Sequence, residues 1–292
     1  MNIKKLLAVG IILLFIGIVY APSITANNPI NTIYVDDDAT FPFLGTEEHP
    51  FKYIQSGINA AFNGDTVVVK DGTYTNHITV DKSIVLIAAN DRVTISVVNK
   101  EYNNAAICVS GYNVTIARFN IGVSGGYGIE VEGTYHFITD NKITGASTGI
   151  AVYDADYSII SRNKVSFAEK GIWIYHGKYN EVIDNIIMGC ECGIHIGGCM
   201  ALNVKNEVTY NNIIANVAGL YIAGVKGPTK VMHNNFVCNI RDAFFYGIST
   251  IWFHNYWGKP RLLPKLIFGR VYFCPWISFD LCPALFSQTK KW

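Results

Sequence analysis

The pattern Gly-Ile-x-Val, or a close apolar equivalent, returns at Gly128, Gly149, Gly171, Gly193 and Gly219, with a variant at Ala106 and a degenerate copy at Ala243. The intervals are 22, 21, 22, 22, 26 and 24 residues. Eight positions before each start from Gly128 onward stands an Asn: Asn120, Asn141, Asn163, Asn185, Asn211 and Asn235. Two columns sharing one register define a chain of stacked units, each of which buries its apolar face only against its neighbours.

Within a unit the apolar residues alternate, which is the period of a strand. Ile107, Ile129, Ile150, Ile172, Ile194 and Leu220 form one inward column, and Val109, Val131, Val152, Ile174, Ile196 and Ile222 the next. A second short strand precedes each Asn, through Ile138, Ile160, Val182, Val208 and Met232. No unit holds a helix-length periodic stretch. The pattern predicts an all-β chain: a single-stranded, right-handed parallel β-helix whose turns of about 22 residues stack at roughly 4.8 Å. The Asn column is expected to satisfy backbone groups at a corner, and the Gly column to supply positive φ there. A leucine-rich repeat of similar length is excluded, because it needs a Leu-rich L-x-x-L-x-L core and these columns are Ile and Val.

The chain divides into four stretches. Residues 1–26 read as an export signal: Lys4 and Lys5, an apolar run over 6–20, and a small-residue exit ending at Ala26. The run is short for a membrane span but is the expected anchor if left uncut. The protein is therefore expected to be secreted or held at the cell surface, touching a membrane only through that segment. Residues 27–105 hold an N-terminal cap and the first coils. Phe51, Ile54, Ile58 and Ala61 form a helical stripe, with Pro50 in the first turn and Gly64 past the end, so a capping helix is expected over 50–62. Strands are expected at 66–69, 78–80 and 84–88. Residues 106–258 are the regular repeats. Residues 259–292, with four prolines and no continuing repeat, form a C-terminal capping segment.

Tyr34-Val-Asp-Asp-Asp38, the helix, and Gly64-Asp65-Thr66-Val-Val-Val-Lys-Asp-Gly72-Thr-Tyr74 together resemble the opening of right-handed parallel β-helix proteins of the pectin-lyase-like superfamily. They are most similar to NosD-type and archaeal surface β-helix proteins, and Asn255-Tyr-Trp-Gly258 resembles the close of the latter. The resemblance covers nearly the whole chain after residue 26. It implies the fold but not one activity, since the superfamily includes lyases, hydrolases, esterases, adhesins and accessory proteins.

Between the inward columns lie outward ones. One holds Cys108, Glu130, Ala151, Trp173, His195 and Tyr221; two positions on are Ser110, Glu132, Tyr153, Tyr175, Gly197 and Ala223, and the next corner adds Asp154, Asp156 and His176. Aromatic faces beside carboxylates suit sugar rings, whose C–H faces stack and whose hydroxyls need acceptors. Glu130, Glu132, Tyr153, Trp173, Tyr175, His176, His195 and Tyr221 are thus the candidate residues for binding polysaccharide or cell-surface glycan. A plain surface role is the competing reading, because aromatics also fit exposed strand positions. Glu130, Asp154 and Asp156 are candidate acid/base groups for a glycoside hydrolase or polysaccharide lyase. The polygalacturonase-like signature is missing, since Asp-Asp occurs only at Asp36–Asp38 and Gly-His-Gly is absent. Lyases of this superfamily use carboxylate-bound calcium with a basic residue, which makes calcium a conditional cofactor and leaves Arg162, in the column beside the Asn ladder, on a different face from the acids. Asp36–Asp38 reads as a turn into the cap before it reads as a calcium site.

Cys190, Cys192, His195 and Cys199 carry zinc- or copper-type donors. A strand between them spreads Cys192 and Cys199 by about 15–20 Å at about 3.3 Å per residue, which argues against one shared site. A smaller site at Cys190, Cys192 and a neighbouring turn stays open, and no metal centre is assigned. Cys274 and Cys282 are a candidate disulfide. The net charge of +1 lacks the basic excess of a nucleic-acid binder, so none is expected as partner.

Overall fold

A coil without helices must reverse direction at every corner, and each reversal turns backbone N–H groups away from the strand ladders, where they need other partners. The computed structural model describes residues 30–98, 104–198, 205–224, 227–247, 250–271 and 274–288. The apolar run over 6–20, the exit at Ala26 and Cys199 lie outside the described residues.

Among the described residues the strands form three sheets of ten, ten and eight strands. In the regular coils the chain visits them in turn. Phe137–Thr139 lies in the first sheet, Lys142–Thr144 in the third and Thr148–Asp156 in the second, and Ile159–Ser161 then returns to the first. Pairing is parallel from turn to turn, with Ile129 opposite Ile150, Ile150 opposite Ile172, Ile172 opposite Ile194 and Ile194 opposite Leu220. Both inward columns are buried and join one continuous core. The protein is a parallel β-helix.

Most corners pass through a residue at positive φ, followed by a buried residue that at many of them is an Asn bonding backbone. Between the first and third sheets, Arg118, Asp140, Arg162, Asp184, Tyr210, His233 and His254 take positive φ. The next positions are Phe119, Asn141, Asn163, Asn185, Asn211, Asn234 and Asn255, all buried. The backbone N–H of Asn163 donates to Asn185 Oδ1 at 2.9 Å, and that of Asn185 to Asn211 Oδ1 at 2.9 Å. Asn185 Nδ2 donates to the Ile160 carbonyl at 2.8 Å. The ladder begins at the Phe119 N–H, which donates to Asn141. It ends on the buried Asp280 carboxylate, which accepts from the backbone N–H groups of His254 and Asn255, from Asn255 Nδ2 and from Trp257 Nε1. Shorter ladders run through His136, Ser158, Asn180 and Asn206 at one further corner and through Asn216 and Asn239 at the other.

Several expectations need correction. Asn120 and Asn235 are strand residues beside the ladder, opposite Lys142 and Asn212. One extra residue in the turn before Gly128 displaces Asn120. In the last regular coil the true register starts one residue earlier, with Val231 buried in place of Met232, Asn234 in the ladder, and Asp242 in the glycine column, since Ala243 lies opposite Leu220. The glycine column is not at positive φ. A Cβ at Gly128, Gly149, Gly171 or Gly193 would lie within 2.6 Å of the carbonyl oxygen of the next glycine in the column, so close stacking of turns requires these residues. The cap helix, α1 (Ile54–Ala60), is shorter than the 50–62 stripe. Phe51 bridges to Val35 instead of entering it. Gly72–Tyr74 and Val93–Val98 are strands the pattern missed.

Cys274 and Cys282 are free thiols, not a disulfide. Cys274–Asp280 is one extended strand, antiparallel to Lys265–Val271. At about 3.3 Å per residue that strand holds the two Cα atoms far beyond the roughly 7 Å a disulfide permits.

Replacing Asn185 by Ala strands the Asn163 N–H and the Ile160 carbonyl inside the core. It should cost about 2–4 kcal/mol in urea unfolding, at roughly 1–3 kcal/mol per unsatisfied buried group, while exposed Lys142→Ala stays within about 0.5 kcal/mol. A loss for Asn185→Ala no larger than that of the control would refute the ladder's energetic role.

Candidate functional site

Because the second sheet keeps register across turns, its outward residues line up in rows along the coil axis. Glu130 lies opposite Cys108 and Ala151, Ala151 opposite Trp173, Trp173 opposite His195, and His195 opposite Tyr221. The neighbouring row places Glu132 opposite Tyr153 and Tyr153 opposite Tyr175. Tyr153 meets Trp173 at 5.1 Å between centroids and Tyr175 at 5.5 Å, both edge-on. Trp173 meets His195 at 5.9 Å, His195 meets Tyr221 at 4.9 Å, and Tyr221 meets Phe244 at 5.7 Å. Tyr175 lies on His176 at 4.0 Å. A Cβ at Gly198 would fall 2.1 Å from the Tyr175 ring, so a glycine there lets the ring lie flat on the corner. Six of the candidate residues, Tyr153, Trp173, Tyr175, His176, His195 and Tyr221, thus form one connected aromatic strip.

Three further residues complete the strip. Lys170 Nζ sits 3.6 Å from the Trp173 ring centroid, a cation–π contact. Tyr127 packs on Ala105 and Ala151, and its hydroxyl lies 3.2 Å from that of Tyr153. Phe244 extends the strip under Arg241. Tyr127, Lys170 and Arg241 occupy one row; the sequence register contained Tyr127 and Lys170 one position before the glycine column, but the slip at Ala243 displaced Arg241. Phe244 was hidden by the one-residue slip at Ala243. Trp173 Nε1 is buried without a hydrogen-bond partner.

The carboxylates do not form one constellation. Glu130 stands in the outward row, where burial first and Glu132 second push its pKa up. Asp154 is on the corner at positive φ, largely exposed, with its Oδ1 3.3 Å from His176 Nδ1. Asp156 accepts the Lys178 N–H at 2.6 Å and so braces the next turn. Arg162 is on another corner, bonded through Nε and Nη2 to both oxygens of Asp140 at 2.8 and 2.7 Å. A separate corner stack, Tyr135–Tyr157–Tyr179, is nearly coplanar, with 2° between Tyr157 and Tyr179, so its rings cover one another's faces. The strip on the second sheet is mostly tilted.

An all-parallel coil with this laterally open face is the architecture of pectate-lyase-like β-helix proteins. Similar solved structures include pectate lyase Pel9A (14% identity, TM-score 0.57, 80% of this chain and 71% of that one) and a rhamnogalacturonan lyase (11%, 0.56, 87% and 86%). The A-module of the mannuronan C-5 epimerase AlgE4 from Azotobacter vinelandii is a third (12%, 0.53, 69% and 73%). At these identities the likeness is one of fold. No curated protein matches the chain significantly. Residues 27–273 match the NosD family, described as periplasmic copper-binding protein, and the chain belongs to that family.

Copper(I) calls for soft donors, chiefly thiolate and thioether, and imidazole also suits copper. Among the described residues, the group of three or more His, Cys, Asp or Glu with ligand atoms in mutual reach is Asp36–Asp37–Asp38, an all-oxygen set. Asp37 Oδ2 there accepts the Thr73 N–H and Asp36 Oδ1 the Asp38 N–H, bonds that shape the turn into the cap. Cys190 is buried in the core, whereas Cys192 lies in the outward row between Lys170 and Ala218. Burial, ahead of the neighbouring Cys190, pushes the Cys192 thiol up to about 12. Cys282 Sγ approaches His254 Nδ1 at 3.9 Å, two donors without a third in mutual reach. Among the described residues no three His, Cys, Asp or Glu other than Asp36–Asp38 bring ligand atoms within mutual reach.

His136 and His195 are both held down to about 4, chiefly by burial, with Lys170 adding to the effect at His195. His136 is bonded on both ring nitrogens: Nδ1 accepts the Val114 N–H, and Nε2 lies 3.0 Å from the Glu132 carbonyl, an arrangement that fits the neutral ring. Between pH 6.5 and 4 the unfolded chain protonates these histidines and the folded protein does not, so stability falls as pH drops through that window. The fully buried His136 should contribute a slope of about 1.4 kcal/mol per pH unit there. His136→Asn, which places in the ladder the side chain used at Asn180 and Asn206, should flatten the profile; an unchanged slope would show that His136 titrates normally.

Proposed function

We propose that the protein binds extracellular or cell-surface polysaccharide along the second sheet, with the chain of sugars lying across the strip from Tyr153 through Trp173, Tyr175 and His195 to Tyr221. The observation that carries this reading is the connected, tilted and half-exposed aromatic strip. Tyr153, Trp173 and Tyr175 meet one another tilted or edge-on, which leaves ring surface for the C–H faces of pyranoses, unlike the parallel corner tyrosines. Glu130, Glu132 and Asp154 at its edge offer acceptors for hydroxyls, and His176 adds a polar ring. A neutral His195 can accept or donate to a hydroxyl without charge. Several solved neighbours of the same fold are named as acting on polysaccharides, which agrees with this reading without assigning a sugar.

Catalysis is a second reading, favoured by one observation: Glu130 is shifted up by burial and by Glu132, as a general acid requires. Its partner would be Asp154, since Asp156 is engaged by Lys178. A passive surface rod is the third reading, in which the strip is ordinary strand packing.

A glycan array followed by titration calorimetry distinguishes them. Trp173→Ala and Tyr175→Ala should each weaken binding by about 5- to 100-fold, corresponding to roughly 1–3 kcal/mol per stacking ring. Unchanged affinity in both would remove this face. Mass spectrometry of the same glycans incubated with protein and calcium reads the alternatives: added water means a hydrolase, unsaturated ends a lyase. Intact polymer with no binding leaves the rod.

A further inference from the structure

The charge of the molecule is concentrated at its ends. Residues 31–71 hold seven Asp and Glu, of which Asp65 is buried and Asp71 pairs with Arg92, against two Lys. Residues 259–292 hold six Lys and Arg, with Lys265 paired to Asp242 and Lys290 and Lys291 outside the described residues, against one Asp. The 187 residues between them are almost balanced, with 14 acids and 13 bases. The first end is finished by the segment over 38–49, whose Gly45 carbonyl accepts the Tyr34 N–H along the outer edge of the first strand. That segment exposes Phe41, Phe43 and Leu44 among Asp38, Glu47 and Glu48. At the other end the antiparallel hairpin Lys265–Val271/Cys274–Asp280 continues the second sheet, and the Ala284 N–H donates to the Asn255 carbonyl across the last turn. This end exposes Leu262 (89%), Leu263 (77%), Phe268, Leu281 and Phe286 beside exposed Lys259 and Arg270. Its lone acid, Asp280, is buried under the ladder and offsets none of the surface charge.

Exposed apolar side chains of this size, set among like charges, form a surface built to be covered. Each end has what the other lacks. We propose that copies of this chain associate head to tail, the acidic, apolar segment 38–49 of one copy docking on the basic, apolar C-terminal end of the next. The contact is heterologous, so it leaves a free acidic end and a free basic end and can repeat along the coil axis. Two basic ends facing each other would repel, which disfavours an isologous pair through the hairpin. At contact distance the opposed charges lie within a Debye length of about 8 Å at physiological salt, so association weakens as salt rises.

Sedimentation velocity of the full chain across protein concentrations, at 20 and 500 mM salt, tests this. The average mass should rise with concentration at low salt and fall at least five-fold in apparent association constant at high salt. Glu47→Lys/Glu48→Lys at one end and Lys259→Glu/Arg270→Glu at the other should each give monomers, with circular dichroism and Tm confirming the fold. Mixing the two variants should restore association, because each then meets a complementary end. Association that persists in Glu47→Lys/Glu48→Lys would overturn the proposal in favour of pairing through the C-terminal ends. A monomer at every concentration that co-sediments with anionic phosphatidylglycerol vesicles but not phosphatidylcholine vesicles would overturn it in favour of a lipid surface. A monomer that binds neither would overturn it outright.

Discussion

The side-chain amide bonded to the backbone of the turn below is the interaction on which the rest of the molecule depends. Strand ladders satisfy only the straight parts of a coil. At the corners the chain passes through positive φ, and its next N–H points inward, where no water reaches it. An Asn answers this with one side chain: the Asn185 oxygen accepts the Asn163 N–H and its nitrogen donates to the Ile160 carbonyl. The bond locks each turn to the next in a single register. It also makes the ends a problem, because a ladder must start on a group that needs only to donate and stop on one that needs only to accept. Phe119 begins it with a backbone N–H, and the Asp280 carboxylate closes it. The segment after residue 258 is therefore part of the same hydrogen-bond accounting as the regular coils, although it has no repeat.

Fixed register carries over to the surface. Side chains one turn apart sit about 4.8 Å from each other, a spacing at which rings stack and opposite charges pair. The corner tyrosines use it to stack nearly flat, with centroids 5.2 and 4.8 Å apart. The corner before the Asn ladder uses it for charge, with Arg118, Asp140, Arg162 and Asp184 alternating in sign down one column. There the Arg162 guanidinium bonds to Asp140 and holds its carboxyl below the usual range in spite of burial. On the second sheet the same spacing gathers unlike rings: Tyr153, Trp173 and Tyr175 meet tilted or edge-on, while Trp173 with His195 and Tyr221 with Phe244 stack. Structural stack and candidate binding face thus arise from one geometric rule and differ in which residues occupy it.

What was legible in the sequence follows from this division. The inward columns could be read directly, because an apolar residue at every second position of a repeating unit has one physical explanation. The aromatic strip was readable for the same reason, as the residues lying between those columns. The ladder was readable only where turn length was constant. Asn120 and Asn235 matched by counting back from Gly128 and from Ala243, yet one inserted residue at the first and a misplaced start at the second moved the true positions to Phe119 and Asn234. The shorter ladders escaped because His136 and Ser158 do the work of Asn in them, and no single-letter column marks the position. The glycines were found for the wrong reason: their positions show in the sequence, but whether positive φ or a neighbouring carbonyl excludes a Cβ depends on the packed distance between turns. Asp280 could not be recognised at all, since it joins the ladder from outside the repeat.

The direction of the coil links the two proposals made for this molecule. Rows of outward side chains run along the coil axis, so a strip on the second sheet has a length set by the number of turns and reaches Phe244 in the last regular coil. Association through the ends would continue that axis from copy to copy and place one strip after another along a single track. A long polymer bound to one strip would then meet the next at high effective concentration, so modest affinity per strip would yield tight overall attachment. Such gain needs no pocket and no catalytic group. It needs only a face with repeated weak contacts and ends that attract, and a solenoid can supply both because its turns fix where every surface residue lies.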